Sequence, residues 1–206
     1  MNRLFICCTV IFCILTVILF PGCGNKTVKY NDYSLPEVQK PLPEPPEAML
    51  ANSDTYTSEK YGFSFNYTDD FKPAEDEMDK LVILYGPMLE DFIYTIHIFM
   101  MKEDSDGRFT LADYAGIGRE SAALNLKDFV LLDEYVTTVV GVPAVVQVDK
   151  YTHTIKDENI ELQEMIVSFM IGDTFYALKY SCSTEFYDEY VDAFYLVLNT
   201  LAFSGN

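Results

Sequence analysis

The stretch Tyr61-Gly-Phe-Ser-Phe-Asn-Tyr67 decides the fold class, because it alternates strictly between large aromatic residues and small or polar ones. Phe63, Phe65 and Tyr67 fall on one face of an extended chain, and the residues between them fall on the other. This pattern predicts a half-buried β-strand whose aromatic face packs on a core. The folded part of the chain is therefore expected to begin with a sheet that is covered on one face.

The segments that follow have the composition of further antiparallel strands. Residues 81–85 and 92–101 are apolar runs separated by Gly86-Pro87 and two acids, which favours an antiparallel pair, and the second run is apolar on both faces, as expected of a central strand. Glycine-containing turns at 141–143 and 172–173 divide the later strands. Those strands are predicted at 129–140, 142–152, 160–171 and 174–181.

Two helices are predicted among these strands. Thr110-Leu-Ala-Asp113 is similar to a capping box and should begin a helix that ends near Ala123, although Gly116 and Gly118 lower its helix propensity. A second helix should begin at Ser183 or Thr184 and end near residue 201. Its apolar positions recur at helical spacing, which indicates packing on the sheet. They are Phe186, Tyr190, Phe194, Val197 and Leu201, widened by Val191, Tyr195 and Leu198.

This order of elements resembles the PsbP-like superfamily. Tyr61-Gly-Phe-Ser-Phe-Asn-Tyr67 is similar to the opening strand of that superfamily, and Gly141-Val-Pro-Ala144 resembles its turn before a long hairpin. Tyr176-Ala-Leu-Lys-Tyr180 and Leu201-Ala-Phe-Ser204 fit its C-terminal end. The resemblance implies an α+β fold: an antiparallel sheet of about six to seven strands covered by helices, in an α/β/α sandwich.

The same resemblance bears on function. The superfamily includes a photosystem II extrinsic subunit, DcrB-type envelope lipoproteins and a nuclear import factor that binds the GTPase Ran. Most of these proteins bind other proteins, so the resemblance implies a non-enzymatic binding role and offers no catalytic residues to carry over. The strong acidity of this chain departs from the plant photosystem subunit.

The N-terminus has the pattern of an export signal. Met1-Asn-Arg3 precedes an uncharged apolar run to Phe20, and Pro21-Gly-Cys23 follows it. This ending resembles the lipobox of bacterial lipoproteins, which predicts a signal peptide at 1–22 and a lipid anchor such as palmitate on Cys23. The alternative is an uncleaved anchor, since the run approaches the length of a spanning helix. Both predict that the chain after residue 23 is extracytoplasmic.

Residues 23–53 are predicted to be a tether between that anchor and a domain at 54–206. The tether contains five prolines and lacks an apolar period. Polyproline II at about 3.1 Å per residue could hold the domain up to roughly 90 Å from the membrane. The alternative is a docking motif of the Pro-x-x-Pro type at Pro43-Glu-Pro-Pro46.

The charge narrows the classes of partner. The chain has 14 basic and 32 acidic residues, a formal charge of −18, and removal of the signal takes away Arg3 and gives −19. Such a chain lacks the Lys and Arg contacts that phosphate backbones need, so nucleic acid is not expected as a partner. Membrane association must then come from the lipid on Cys23 and not from a polybasic patch.

Reactive side chains show no site pattern. Cys7, Cys8 and Cys13 lie within the signal, and Cys182 is expected to be a buried small hydrophobe. Neither His97 nor His153 has the spacing of a metal site or a nucleophile motif. The acidic run at 103–107 fails the EF-hand pattern and is interpreted as a solvated loop. No catalytic, metal or cofactor residue is predicted.

These observations lead to one leading hypothesis and two alternatives. The leading hypothesis is a membrane-tethered, extracytoplasmic and non-enzymatic lipoprotein domain that binds a protein partner in envelope assembly or surface function. The first alternative is a lipoprotein that binds a small ligand or a divalent cation through acidic loops or a cleft between sheet and helix. The second is a hydrolase, which would require His97 or His153 beside an exposed nucleophile.

Overall fold

The computed structural model describes residues 33–76, 80–87, 97–155 and 157–204, which form ten strands and three helices. The predicted signal and Cys23 lie outside these ranges. The helices are α1 (Glu47–Ala51), α2 (Leu111–Asn125) and α3 (Tyr187–Thr200). The strands are β1 (Asp54–Ser58), β2 (Phe63–Tyr67), β3 (Lys72–Glu75), β4 (Val82–Tyr85), β5 (His97–Asp104), β6 (Lys127–Val139), β7 (Val142–Ile155), β8 (Glu158–Ile171), β9 (Thr174–Ser183) and β10 (Ala202–Phe203).

Two antiparallel sheets organise these strands. Seven strands lie in the order β3-β4-β5-β9-β8-β7-β6, and three more lie in the order β1-β2-β10. The long strands β6 to β9 follow one another through hairpins, while β9 also pairs with β5. The predicted antiparallel sheet of six to seven strands is confirmed, and β3 and β6 are its two edges. The second, smaller sheet was not predicted.

The core lies between one face of the large sheet, helix α3 and the small sheet. Phe63 and Phe65 are 1% and 2% exposed, so the aromatic face of β2 is buried as the alternation predicts. Phe194 of α3 is fully buried in the same cluster. Apolar burial stabilises by about 25 cal/mol per Å² removed from water, so these aromatic side chains are major contributors to stability.

Helix α2 packs on β6, β7 and β8. The Thr110 side chain accepts a hydrogen bond from the Asp113 N–H, and the Asp113 carboxylate accepts one from the Thr110 N–H. The predicted capping box is therefore confirmed, and the helix runs two residues beyond its predicted end.

The predicted start of the last helix is wrong. Ser183 still belongs to β9 and pairs with Leu162, and the Thr184 N–H donates to the Glu161 carbonyl at 3.0 Å. Both proposed cap residues are therefore bonded to β8 through their backbones. Helix α3 begins at Tyr187, and the side chain of the preceding residue, Phe186, makes no capping bond. The first five residues of the strand predicted at 92–101 lie outside the described residues. No described helix has both the length and the apolar character needed to cross a bilayer.

Candidate functional site

The chain before the first helix lies against the edge of the large sheet, and we call residues 33–46 the strap. The Lys40 N–H donates to the Val136 carbonyl at 3.0 Å, and the Val136 N–H donates to the Val38 carbonyl at 2.9 Å. These two bonds make a single parallel bridge between Gln39 and Val136 of β6. The boundary between tether and domain at residues 53 and 54 stays a prediction, but part of the predicted tether contacts the sheet.

Side chains hold both ends of the strap. The Tyr33 hydroxyl donates to Glu134 at 2.9 Å, and the Arg119 guanidinium lies 4.8 Å from the Tyr33 ring centroid. Burial, followed by the Glu134 carboxylate, raises the pKa of Tyr33, so the hydroxyl keeps its proton and remains a donor. At the other end, the Asn199 side chain donates to the Pro43 carbonyl at 2.9 Å.

Gly116 of α2 provides the space for Tyr33. A Cβ atom on Gly116 would lie 2.9 Å from the Tyr33 Cβ, whereas one on Gly118 would meet nothing within 4 Å. We therefore expect Gly118→Ala to stabilise the domain by about 0.5–1 kcal/mol through helix propensity. Gly116→Ala should not show this stabilisation, because its methyl group would displace Tyr33. Urea denaturation measures the first effect, and limited proteolysis of the strap measures the second.

The two variants form a matched pair, because they introduce the same methyl group two positions apart in one helix. Equal stabilisation, together with equal protease resistance of the strap, would show that Tyr33 does not pack on Gly116.

An open groove of about 790 Å³ lies between the strap, the β6–β7 hairpin and the C-terminal end of α3. We call it the strap groove. Its walls are partly apolar, with Leu42 from the strap, Val140 from the hairpin and Leu198 from α3. Thr137 also lines it, is 7% exposed, and its hydroxyl has no hydrogen-bond partner among the described residues. The full lining is Gln39, Lys40, Pro41, Leu42, Glu44, Val136, Thr137, Thr138, Val139, Val140, Pro143, Leu198, Asn199 and Leu201.

A buried polar hydroxyl without a partner is costly in a folded protein. Thr137 lies in the wall of the open groove, although its hydroxyl is itself enclosed. The open volume, the apolar side chains and the free sheet edge make the strap groove the candidate binding site of the described chain.

The opposite face of the large sheet carries a buried charge cluster, formed by Asp149, Glu164 and Lys179. Asp149 and Glu164 lie directly opposite each other on β7 and β8 and are 3% and 2% exposed. Lys179 of β9 forms an ion pair with Glu164. Glu164 also accepts hydrogen bonds from the Tyr151 hydroxyl at 2.7 Å and from Ser181 at 3.0 Å.

Asp149 is the member of this buried charge cluster whose hydrogen bonding is incomplete. Its Oδ1 has no hydrogen-bond partner among the described residues. Burial and, after it, the nearby Glu164 carboxylate raise the pKa of Asp149 to about 7, against the opposing effect of Lys179. One lysine thus faces two buried carboxyl groups, and the cluster is near neutrality when Asp149 holds a proton.

Solved structures with the same arrangement of strands and helices show which fold this is. LpqN of Mycobacterium tuberculosis, described as involved in cell envelope biogenesis, matches with a TM-score of 0.54 and 12% identity, over 76% of this chain and 95% of that chain. The cyanobacterial PsbP of Synechocystis sp. PCC 6803 matches with a TM-score of 0.52 and 13% identity, over 74% of this chain and 93% of that chain. This chain has the PsbP-like fold. At such identities the likeness concerns the fold alone.

Sequence comparison adds nothing to this assignment, because no protein-family model and no curated protein matches the chain. The strap groove and the buried charge cluster are therefore features of this PsbP-like domain that we derive from its own residues.

The PsbP-like fold places the residues considered from sequence away from one another. Cys182 is fully buried, and burial raises the pKa of its thiol to about 11, which confirms its expected role as a small core residue. His97 lies with its ring 5.3 Å from that of Tyr85, and burial lowers its pKa to about 4, with Lys179 adding to the shift. Burial also lowers the pKa of His153. In the described chain, neither histidine is hydrogen-bonded to a serine, threonine or cysteine side chain.

The acidic run at 103–107 lies at the end of β5 and in the following turn. Asp104 accepts a hydrogen bond from Thr174 at 3.0 Å, and Asp106 pairs with Arg108 at 3.2 Å. Across the described ranges, no three His, Cys, Asp or Glu side chains are grouped so that they could share a metal ion. A second acidic stretch, at residues 75–79, is described only in part, because Glu77 and Asp79 lie outside those ranges.

Sequence reasoning missed both the strap groove and the buried charge cluster. A signal for the cluster existed, because Asp149, Glu164 and Lys179 interrupt strands that are otherwise rich in Val, Ile, Met and Tyr. Charged residues inside such strands point either to solvent or to a buried polar group, and only the packing of the second face distinguishes the two.

Proposed function

We propose that this chain is a membrane-tethered, extracytoplasmic PsbP-like domain that binds a protein partner at the strap groove and catalyses no reaction. The observation that carries the proposal is the open groove beside a sheet edge, lined by apolar side chains and by Thr137, whose enclosed hydroxyl has no partner among the described residues. A role in envelope assembly or surface function is supported by the fold shared with LpqN, which is described as involved in cell envelope biogenesis.

The tether part of the proposal rests on Cys23. With residues 33–46 in contact with the domain, the chain from Cys23 to Tyr33 is the part left to span the distance from a lipid anchor. At about 3.1 Å per residue in the extended state, it reaches roughly 30 Å. The domain is then held near the membrane, at about a third of the reach that the whole tether would give.

Lipidation has a direct test in cells. Metabolic labelling with a fatty-acid analogue should mark the wild-type protein and should not mark Cys23→Ser, because that cysteine is the predicted acceptor. Label that persists in Cys23→Ser would contradict anchoring at this residue.

Partner binding is tested by crosslinking of the full-length anchored protein in cells followed by mass spectrometry. We expect one reproducible partner that is lost or reduced in the mislocalised Cys23→Ser form. Absence of a specific partner in both forms would contradict the proposal.

A small polar ligand is the second candidate for the strap groove, because 790 Å³ also suits a small molecule. A small-molecule screen by thermal shift on the full chain separates the two: a hit that is abolished by Thr137→Val would favour a ligand that bonds the buried hydroxyl.

A further inference from the structure

The edge strand β6 offers backbone groups to the strap groove. Val136 directs its N–H and C=O away from β7, since both bond to the strap. In an antiparallel pair, residues two apart direct these groups to the same side, so Thr138 also directs its N–H and C=O outward. The register agrees, because the β7 residue opposite Thr138 is Pro143, which has no N–H to give.

The strap does not use these groups of Thr138. A continued parallel pairing would join the Thr138 N–H to the Lys40 carbonyl and the Leu42 N–H to the Thr138 carbonyl. Neither bond is formed among the described residues, where the pairing consists of the Gln39–Val136 bridge alone. Pro41 and Pro43 follow at once, and the strap leaves β6 so that its Pro43 carbonyl bonds Asn199 of α3. The strap groove opens where the strap and β6 separate.

An extended peptide fits the chemistry of this opening. Its backbone would meet the outward N–H and C=O of Thr138. Side chains on one face of the peptide would lie against Leu42, Val140 and Leu198.

Charge adds a second criterion for this peptide. The chain without its signal has a formal charge of −19. On the groove wall the exposed Glu44 and Lys40 balance each other, so the attraction for a basic peptide comes from the charge of the whole domain. Basic residues in the peptide would therefore speed association and favour binding.

We infer that the strap groove accepts an extended, basic segment of a partner protein, which adds to β6 as a strand beside Thr138. This inference rests on the proposed function and specifies the mode of binding. In this mode of binding the strap limits where a peptide can add to β6, because it covers Val136 and leaves the next outward residue, Thr138, open.

The test uses a displayed library of random linear peptides, selected on the full-length protein in detergent micelles. Selected peptides should be rich in basic and β-branched residues. Thr138→Pro removes the outward N–H without removing a bond to β7, and it should weaken their binding about tenfold or more. Thr138→Ala keeps the backbone and is the matched control, with affinity changed by no more than about twofold.

A second measurement protects against local misfolding of the proline variant. N-methylation of a selected peptide, one amide at a time, should abolish binding at one position, the amide whose N–H donates to the Thr138 carbonyl, and should be tolerated at the amides on either side of it. Peptides that tolerate Thr138→Pro and every N-methylation would overturn strand addition, and so would failure to select any peptide. If crosslinking in cells nevertheless captures a partner, the proposed function stands and only the mode of binding is wrong.

Discussion

Replacement of Lys179 by methionine is expected to lower the free energy of unfolding by about 3–5 kcal/mol, the cost of leaving a buried charge without its partner. Glu164 is 2% exposed and loses its ion pair in this variant, while Asp149 remains beside it across the β7–β8 ladder. Methionine preserves most of the side-chain volume of lysine, so packing changes contribute little. Urea denaturation at pH 7, with the slope checked for two-state unfolding, measures the loss.

The matched control is Lys150→Met. Lys150 pairs with Glu161 at 3.1 Å, but both side chains are substantially exposed, at 34% and 49%. Exposed ion pairs of this kind contribute about 0–1 kcal/mol, so the control should lose no more than that. If the two variants lose similar, small amounts of stability, Glu164 is not a buried charge that depends on Lys179.

The titration of Asp149 should lower the free energy of unfolding as pH rises from about 4 to about 7. Burial raises the pKa of Asp149 to about 7, well above the ordinary value of 3.8 that the unfolded chain would have. Between these values the folded state holds a proton that the unfolded state releases, so deprotonation favours unfolding. The contribution of protonated Asp149 is complete below pH 4 and is lost by about pH 7.

Asp149→Asn isolates this effect, because asparagine is neutral at every pH. Relative to the wild type, it should gain roughly 1–4 kcal/mol between pH 4 and pH 8, with the gain levelling off above pH 7. His97 acts in the opposite sense, since its pKa is lowered to about 4 and its contribution is lost as pH falls below 6.5. Because His97 is present in both the variant and the wild type, most of its contribution cancels in the difference between their free energies of unfolding. A difference independent of pH would contradict a protonated, buried Asp149.

Much of the fold follows from local sequence patterns. The alternation of Phe63 and Phe65 predicts their burial, because successive strand residues face opposite sides. Thr110 and Asp113 predict the start of α2, since a capping box is formed by residues three apart. Such signals need no knowledge of distant parts of the chain, and the PsbP-like resemblance connected them into one topology.

The candidate sites could not be predicted in the same way, since they depend on contacts between distant residues. Tyr33 meets Glu134 across 101 positions of the chain, and nothing near Tyr33 distinguishes a docked strap from a free tether. Asp149 and Glu164 become neighbours only through the register of β7 on β8. The start of α3 was misplaced for a related reason. Ser183 and Thr184 have the side chains of helix caps, but Ser183 continues β9 opposite Leu162, and the Thr184 N–H and hydroxyl both donate to the Glu161 carbonyl of β8.

The central claim, that a partner protein binds at the strap groove, is tested most directly by site-specific photocrosslinking in cells. A photoreactive amino acid is placed at Thr138, on the β6 edge within the groove, and for comparison at Lys72, exposed on β3 at the opposite edge of the same sheet. We predict a discrete crosslinked product from position 138, absent from position 72 and reduced when Cys23→Ser is added. Crosslinks of equal yield from both positions, or none from position 138, would contradict partner binding at the groove.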